Sequence, residues 1–273
     1  MKPRWPVLAV NATLAVIAAL TLFPLLWMVS ASLMAPGEAS TFPPPLVPRA
    51  PTLANYRELF ATVGIGRQVI NSLLVSVGAT LLSLAFNLAA GYAFAKLRFA
   101  GRERLFRTLL GALVIPAQVT MMPLFLMLKH MGLVNSYAGA LVPWLASVFG
   151  IFLVRQYTLS IPDEIIEAAR MDGASEGRIF IAVVLPLLKP VVVTLSVLTF
   201  LGAWNDFMWP LIVLSDRDLQ TLPVALAGLS REHVQDTELM MAGAVVTVLP
   251  VLLLFLALQR HYMRGLLMGS VKG

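Results

Sequence analysis

Few residues in this 273-residue chain are of a type and spacing that could carry out chemistry of their own. The histidines His130, His233 and His261 stand alone, with no carboxylates at ligand spacing, so neither a metal site nor acid–base catalysis is expected. No G-x-x-x-x-G-K-S/T loop occurs, so no nucleotide phosphate can be cradled here. Cysteine is absent, which removes disulfides and thiolate ligands. Asp206, in Trp204-Asn205-Asp206, is a carboxylate inside an apolar segment; such a charge is costly enough to be a site hypothesis by default. Its competing role is a cap or salt bridge at a membrane interface, beside Trp204 and Trp209 as belt aromatics. What remains is recognition, and it concentrates in Glu167-Ala168-Ala169-Arg170-Met171-Asp172-Gly173-Ala174. This is a polar, turn-bearing interval between hydrophobic segments, as expected of a surface that meets another protein.

The local signals around that stretch spell helix, turn, helix. Ser160 can cap, Pro162 suits a first helical turn, and Asp163, Glu164 and Glu167 put negative charge at the positive end of the helix dipole. Gly173 supplies the left-handed residue that ends such a helix. Ile165, Ala168, Ala169 and Asp172 recur at three- and four-residue spacing, so small side chains form one narrow face that a partner backbone could approach. Beyond the turn, Ile179, Phe180 and Val183 lead into Leu185-Pro186, and Pro190 permits a second bend. Pro186 and Pro190 are the expected hinge.

The elements that must position this stretch lie in lipid. The chain is 59% hydrophobic and only 12% charged, with mean hydropathy +0.84; that is too little polar surface to cover a soluble globule. A single domain, 1–273, with spans at about 7–30, 69–95, 105–128, 137–157, 183–209 and 239–258 follows from the apolar runs. The first run is too long for a signal-peptide core, although Ser30-Ala31-Ser32 offers small residues for cleavage. Outer loops are expected at 31–68, 129–136 and 210–238, the first an extended proline-rich segment followed by an amphipathic piece at 53–60. Residues 221–229 are too short to span and suit a surface or partly inserted helix. The stretch 158–182 is the inner loop.

Small and weakly polar residues along 69–95, Asn87 among them, suit helix packing or pore lining. Pro116 and Pro123 free backbone carbonyls that lipid cannot satisfy, so Gln118 and Met121 between them belong either to a packed kink or to a substrate path. Asn205 and Asp206 complete the candidates for that path. Charge asymmetry then orients the chain. With both termini inside, Arg49, Arg57, Arg67, Lys129, Arg217 and Arg231 lie outside and the other fourteen of the twenty Lys and Arg lie inside. The net charge of +6 is thus explained by topology, and no basic stripe with interleaved aromatics suggests nucleic acid.

The run EAARMDGASEGRIFIAVVLPLLKP resembles the EAA signature of ABC importer permeases. AWNDFMWPLIVLSD at 203–216, TLPVALAGL at 221–229 and the closing QRHYMRGLLMGSVKG are similar to the carbohydrate-uptake, maltose-type branch, specifically its smaller permease subunit; Asn71-Ser72 and Gly91-Tyr92-Ala93-Phe94-Ala95 extend the likeness. Val183 or Val184 stands where the pattern often has isoleucine. The resemblance implies an all-α membrane protein of the type I ABC importer permease fold, with six transmembrane helices and a cytoplasmic EAA helix-turn-helix. It implies an ATPase-coupling role for Glu167, Ala168, Ala169, Arg170, Asp172, Gly173 and Ala174, and contact of the tail, including Arg264 and Lys272, with the ATPases. The implied partners are a second homologous permease, two ABC ATPase subunits and an extracytoplasmic substrate-binding protein. ATP and magnesium would sit on the ATPases, with no cofactor on this chain, which is then a transport subunit and not an enzyme. The implied location is a bacterial or archaeal cytoplasmic membrane. An ion-coupled secondary transporter is the alternative, but it would call for paired intramembrane ionisable groups or repeat-related broken helices.

Overall fold

The computed structural model describes the backbone of residues 5–232 and 236–270 and the side chains of 7–229 and 236–257. Every regular element among these residues is helical. Three helices are long and apolar enough to cross a membrane unaided: Val7–Ala31, Gly66–Lys96 and Thr237–Ala257. Three further spans are possible only as bent pairs, with breaks of 105°, 46° and 81°. The structure divides into two units, residues up to 67 with 225–252, and residues 68–224 with those from 253 onward.

In the first unit, α1 (Trp5–Ala31) is apolar all round and its membrane window is wholly unburied, as befits a helix solvated by lipid. The segment after it is not the extended linker that its prolines suggest. Trp27 Nε1 donates to Pro45 O at 3.0 Å, Glu38 accepts from the N–H groups of Ala35 and Arg49, and Asn55 at the start of α2 (Ala54–Ala61) donates to Ser32 O and Met34 O. Side chains thus bind the backbone groups that a proline-rich segment cannot pair in regular structure. Residues 225–252 add the C-terminal part of α13 (Leu222–Glu232) and the first half of α14 (Thr237–Ser270). Glu238 of α14 is fully buried and accepts from Ala39 N at 2.6 Å.

The second unit is built on α3 (Gly66–Lys96), whose small and polar residues Ser72, Ser76, Ala79, Ser83, Asn87 and Gly91 are buried. At Gly91 a Cβ would lie 2.5 Å from Val154 Cγ1, so the glycine sets the approach of α7 (Val148–Leu159). The stretch 105–128 is not one helix. Leu113 to Pro116 separates α4 (Arg102–Ala112) from α5 (Ala117–His130), because Pro116 is extended and biases the residue before it away from helix. Pro123 is absorbed within α5. Residues 137–157 form α6 (Tyr137–Leu141), a 3₁₀ turn (Val142–Trp144) and α7, which Ser147 caps by accepting from Gly150 N.

After α8 (Asp163–Met171) comes α9 (Glu176–Ile179), a π turn (Phe180–Val184) and α10 (Leu185–Leu187). An 81° bend then leads into α11 (Lys189–Trp204). The expected fifth span at 183–209 therefore begins earlier as helix and ends at Trp204; Asn205, Asp206 and Phe207 intervene before α12 (Met208–Val213).

Candidate functional site

The helix-turn-helix around Gly173 is assembled from both ends. Ser160 does not cap α8 as its type suggests; its hydroxyl donates to Tyr157 O and closes the end of α7. Pro162, extended at φ −57° and ψ 137°, occupies the position before α8, so the helix opens on Asp163 and Glu164 with no side-chain cap. At the far end, Gly173 adopts φ +79°. Its N–H reaches Arg170 O at 3.0 Å and Ala174 N–H reaches Ala169 O at 3.0 Å, the paired bonds of a Schellman motif. Ser175 then caps α9 by accepting from Arg178 N.

One side of α8 is anchored and the other is bare. Ile166 is buried in a cluster with Tyr92, Val154, Ile161, Ile179, Val184, Leu188 and Val191, and Ala169 and Ala174 pack on its edge. Ile165 is 43% exposed and Met171 88% exposed, and Glu167, Ala168 and Asp172 also face outward. Of the four residues read as one narrow face, Ile165, Ala168 and Asp172 are thus open while Ala169 leans on the core.

Two polar braces tie this unit to the end of α3. Lys96, only 6% exposed, donates to Ile161 O at 2.6 Å and to the Asp163 carboxylate. Arg170 Nε donates to Glu176 Oε1 at 2.7 Å, and the Tyr92 hydroxyl donates to Glu176 Oε2 at 2.8 Å. The hydrogen bond from Lys96, and then its charge, hold the Asp163 carboxyl below the usual carboxylate range. Stability from that contact is present above the ordinary carboxylate range and is lost as pH falls through the lowered value. Between the braces lies an open cleft of about 700 Å³ lined by Lys96, Leu97, Arg98, Glu167, Arg170, Met171 and Glu176. Tyr92 and Lys96 brace the candidate site, a role not assigned to them from the sequence. Their spacing of four puts them on one helical face, which is the signal that could have found them.

The Arg170–Glu176 pair is about half exposed, at 41% and 46%, so its strength is that of a surface ion pair. Replacing Glu176 by glutamine is expected to cost under about 1 kcal/mol of stability. It should, however, raise proteolytic cleavage at Asp172–Ser175 in the folded protein, since Arg170 and Tyr92 both lose a charged acceptor. A variant cleaved no faster than the parent would show that the pair does not hold the turn.

Pro186 and Pro190 flank the 81° bend, which centres on Leu188. The five residues considered for a substrate path do not come together. Asn87 is fully buried and both of its polar atoms are engaged: Nδ2 donates to Ser83 Oγ at 2.7 Å and Oδ1 accepts from Ser147 N at 2.9 Å. It serves helix packing, the other role its setting allowed. Gln118 is exposed on α5, and Asn205 donates to Leu201 O at 2.8 Å. Met121 and Asp206 do share a cleft, with Trp144 and Gly202. The Asp206 carboxylate accepts from Trp209 N at 3.3 Å, a capping contact at the start of α12. The side chain of Arg264 and the whole of Lys272 lie outside the described residues.

A family model described as "Binding-protein-dependent transport system inner membrane component" matches residues 87–267. The arabinooligosaccharides transport system permease protein of Halalkalibacterium halodurans is 37% identical over 266 residues, covering 95% of this chain and 94% of that protein. The lactose transport system permease protein of Rhizobium radiobacter is 32% identical over 277 residues, covering 100% and 98% respectively. Among solved structures, a chain of a bacterial ABC transporter involved in the import of the acidic polysaccharide alginate has a TM-score of 0.84 at 25% identity, covering 96% of this chain and 98% of that one.

Proposed function

We propose, from the premise that this chain belongs to the family of binding-protein-dependent transport system inner membrane components, that it is the permease subunit of an ATP-driven sugar importer, gripped from the cytoplasm through α8. The chain forms half of a translocation pathway with a second, homologous permease. Two ATPase subunits hold the ATP and magnesium, and an extracytoplasmic binding protein delivers the solute. Both termini lie in the cytoplasm, and the bent helix pairs complete six crossings of a bacterial inner membrane.

The observation that carries this reading is the split character of α8. Ile166 locks the helix to the transmembrane core while Ile165, Ala168 and Asp172 stay bare. A helix with one face welded and one open transmits a push without deforming. Displacement of α8 passes to α3 through Lys96 and Tyr92 and to α11 through Ile179, Val184 and Leu188, and this rigid-body motion tilts the spans between inward- and outward-open states.

The absence of cysteine makes the test direct. In the assembled complex, Ile165→Cys and Ala168→Cys should each cross-link to a cysteine placed in the ATPase subunit, with a yield that changes when ATP binds. Ile166→Cys, buried in the core cluster, should not. The coupling assignment fails if the two exposed positions react with a membrane-impermeant thiol reagent added from outside intact cells, or cross-link to no ATPase. Uptake driven by an ion gradient with no ATPase present would favour the secondary-transporter alternative.

A further inference from the structure

We propose that the cleft between α5, α11 and the 3₁₀ turn at Val142–Trp144 is a subsite for an uncharged sugar ring, with Asp206 accepting the ring's hydroxyl hydrogens and turning away anionic sugars. This deepens the reading of the chain as a sugar permease and rests on it.

The cleft has a volume of about 370 Å³, and its lining includes Thr120, Met121, Leu124, Trp144, Gly202 and Asp206. That volume falls at the lower end of the roughly 300–1,000 Å³ typical of ligand sites. Its walls are mostly apolar, and the Thr120 hydroxyl already donates to Ala117 O. The position of Trp144 is specified by the residue it faces: a Cβ at Gly202 would stand 2.9 Å from its Cη2 and 3.1 Å from its Cζ3. Only glycine lets the indole lie that close to α11. An indole beside the adaptable thioether of Met121 offers what the C–H face of a pyranose needs, a broad apolar contact with some give.

Asp206 provides the polar end. It sits at the break between α11 and α12, where one oxygen accepts from Trp209 N. A carboxylate has about four acceptor sites, so capacity remains for hydroxyl hydrogens. None of the described ion pairs includes Asp206, and none of the residues lining the cleft is a cation. A sugar carboxylate or phosphate entering here would meet a like charge in apolar surroundings, with no cation among the described lining residues to neutralise it. The chemistry of the cleft therefore selects neutral sugars over uronates and sugar phosphates.

The test uses the complete transporter, this chain with its partner permease, ATPases and binding protein, in proteoliposomes. The probes are lactose, arabinotriose and maltotriose as neutral sugars, and trigalacturonate and glycerol 3-phosphate as anions. The parent should import at least one neutral probe and neither anion. Asp206→Asn keeps the shape and the bond from Trp209 N. It should lower uptake of the neutral probe about ten- to hundredfold, as loss of a charge-assisted hydrogen bond implies, and raise the ratio of anionic to neutral uptake. A merely structural role would depress both classes alike and leave that ratio unchanged. Asp206→Glu should retain the exclusion of anions even where its geometry lowers the rate. Unchanged neutral uptake by the asparagine variant, or efficient import of an anion by the parent, overturns the subsite while leaving the sugar-permease reading intact. No ATP-driven uptake of any probe, by a complex whose binding protein retains its sugar, sinks that reading and the subsite with it.

Discussion

Valine at position 173 should abolish ATP-driven uptake while the chain still inserts and its complex still hydrolyses ATP. Gly173 holds φ +79°, and nothing lies within 4 Å of where its Cβ would be. The defect is therefore conformational and owes nothing to a clash. An L-residue in the left-handed region costs roughly 1–2 kcal/mol, and β-branching raises that cost. The Schellman bonds to Arg170 O and Ala169 O exist only in this conformation, so the helix end frays and α8 loses its rigid link to α9. Transport should rank glycine, asparagine, alanine, valine in descending order, because asparagine tolerates the left-handed state best among the replacements. Uptake and ATPase rates measured side by side would show a falling number of solutes moved per ATP. A valine variant that transports at the parental rate would disprove the rigid turn.

The second large effect is expected at Gly91, which permits the approach of α3 and α7. A methyl there would lie 2.5 Å from Val154 Cγ1, 2.6 Å from its Cβ and 3.1 Å from the Arg155 N. None of these can swing aside: the valine is stiff at χ1 and the nitrogen is backbone. Even alanine must part the helices, and leucine should cost about 3 kcal/mol or more, the upper end for overpacking. Tyr92 and Lys96 follow Gly91 on α3, so the braces on Glu176, Ile161 and Asp163 shift with it. Gly91→Leu should lower the melting temperature of the purified complex and reduce cross-linking at Ala168→Cys. Deleting the opposing side chain whole, in Gly91→Ala with Val154→Gly, removes both Val154 contacts and should recover part of each relative to Gly91→Ala alone. Failure of that pair to rescue would mean that the contact is not what positions the site.

Much of this architecture is legible in residue types alone. Apolar runs locate the membrane helices, and Asp163, Glu164 and Gly173 mark the ends of α8, because dipole and left-handed preferences act within a single turn. What is not legible depends on partners distant in sequence. The bend of 105° at the break before α5 and that of 81° at Leu188 have sizes that no residue type specifies, and a hydropathy window averages across both. Ser160 fits two helix ends equally well by type, and only the geometry of α7 decides between them. By type Asn87 suits packing more than a pore, and it is Ser83 and Ser147, engaging both of its polar atoms, that show the packing role. Glu238 follows the same rule: its partner, the N–H of Ala39, is 199 residues away.

Under the proposed coupling through α8, the elbow at Leu188 would turn a small displacement into a long stroke. Helix α11 extends sixteen residues beyond it, about 24 Å at 1.5 Å per residue, so a swing of about 10° at the elbow carries the Trp204 end through roughly 4 Å. That is on the order of the 4.7 Å separating neighbouring strands in a sheet, gained without stretching any bond within the helix. A pull of a few tenths of an ångström near the fulcrum could thus reshape the distant mouth where Asp206 stands, in the manner of an oar pivoting in its rowlock.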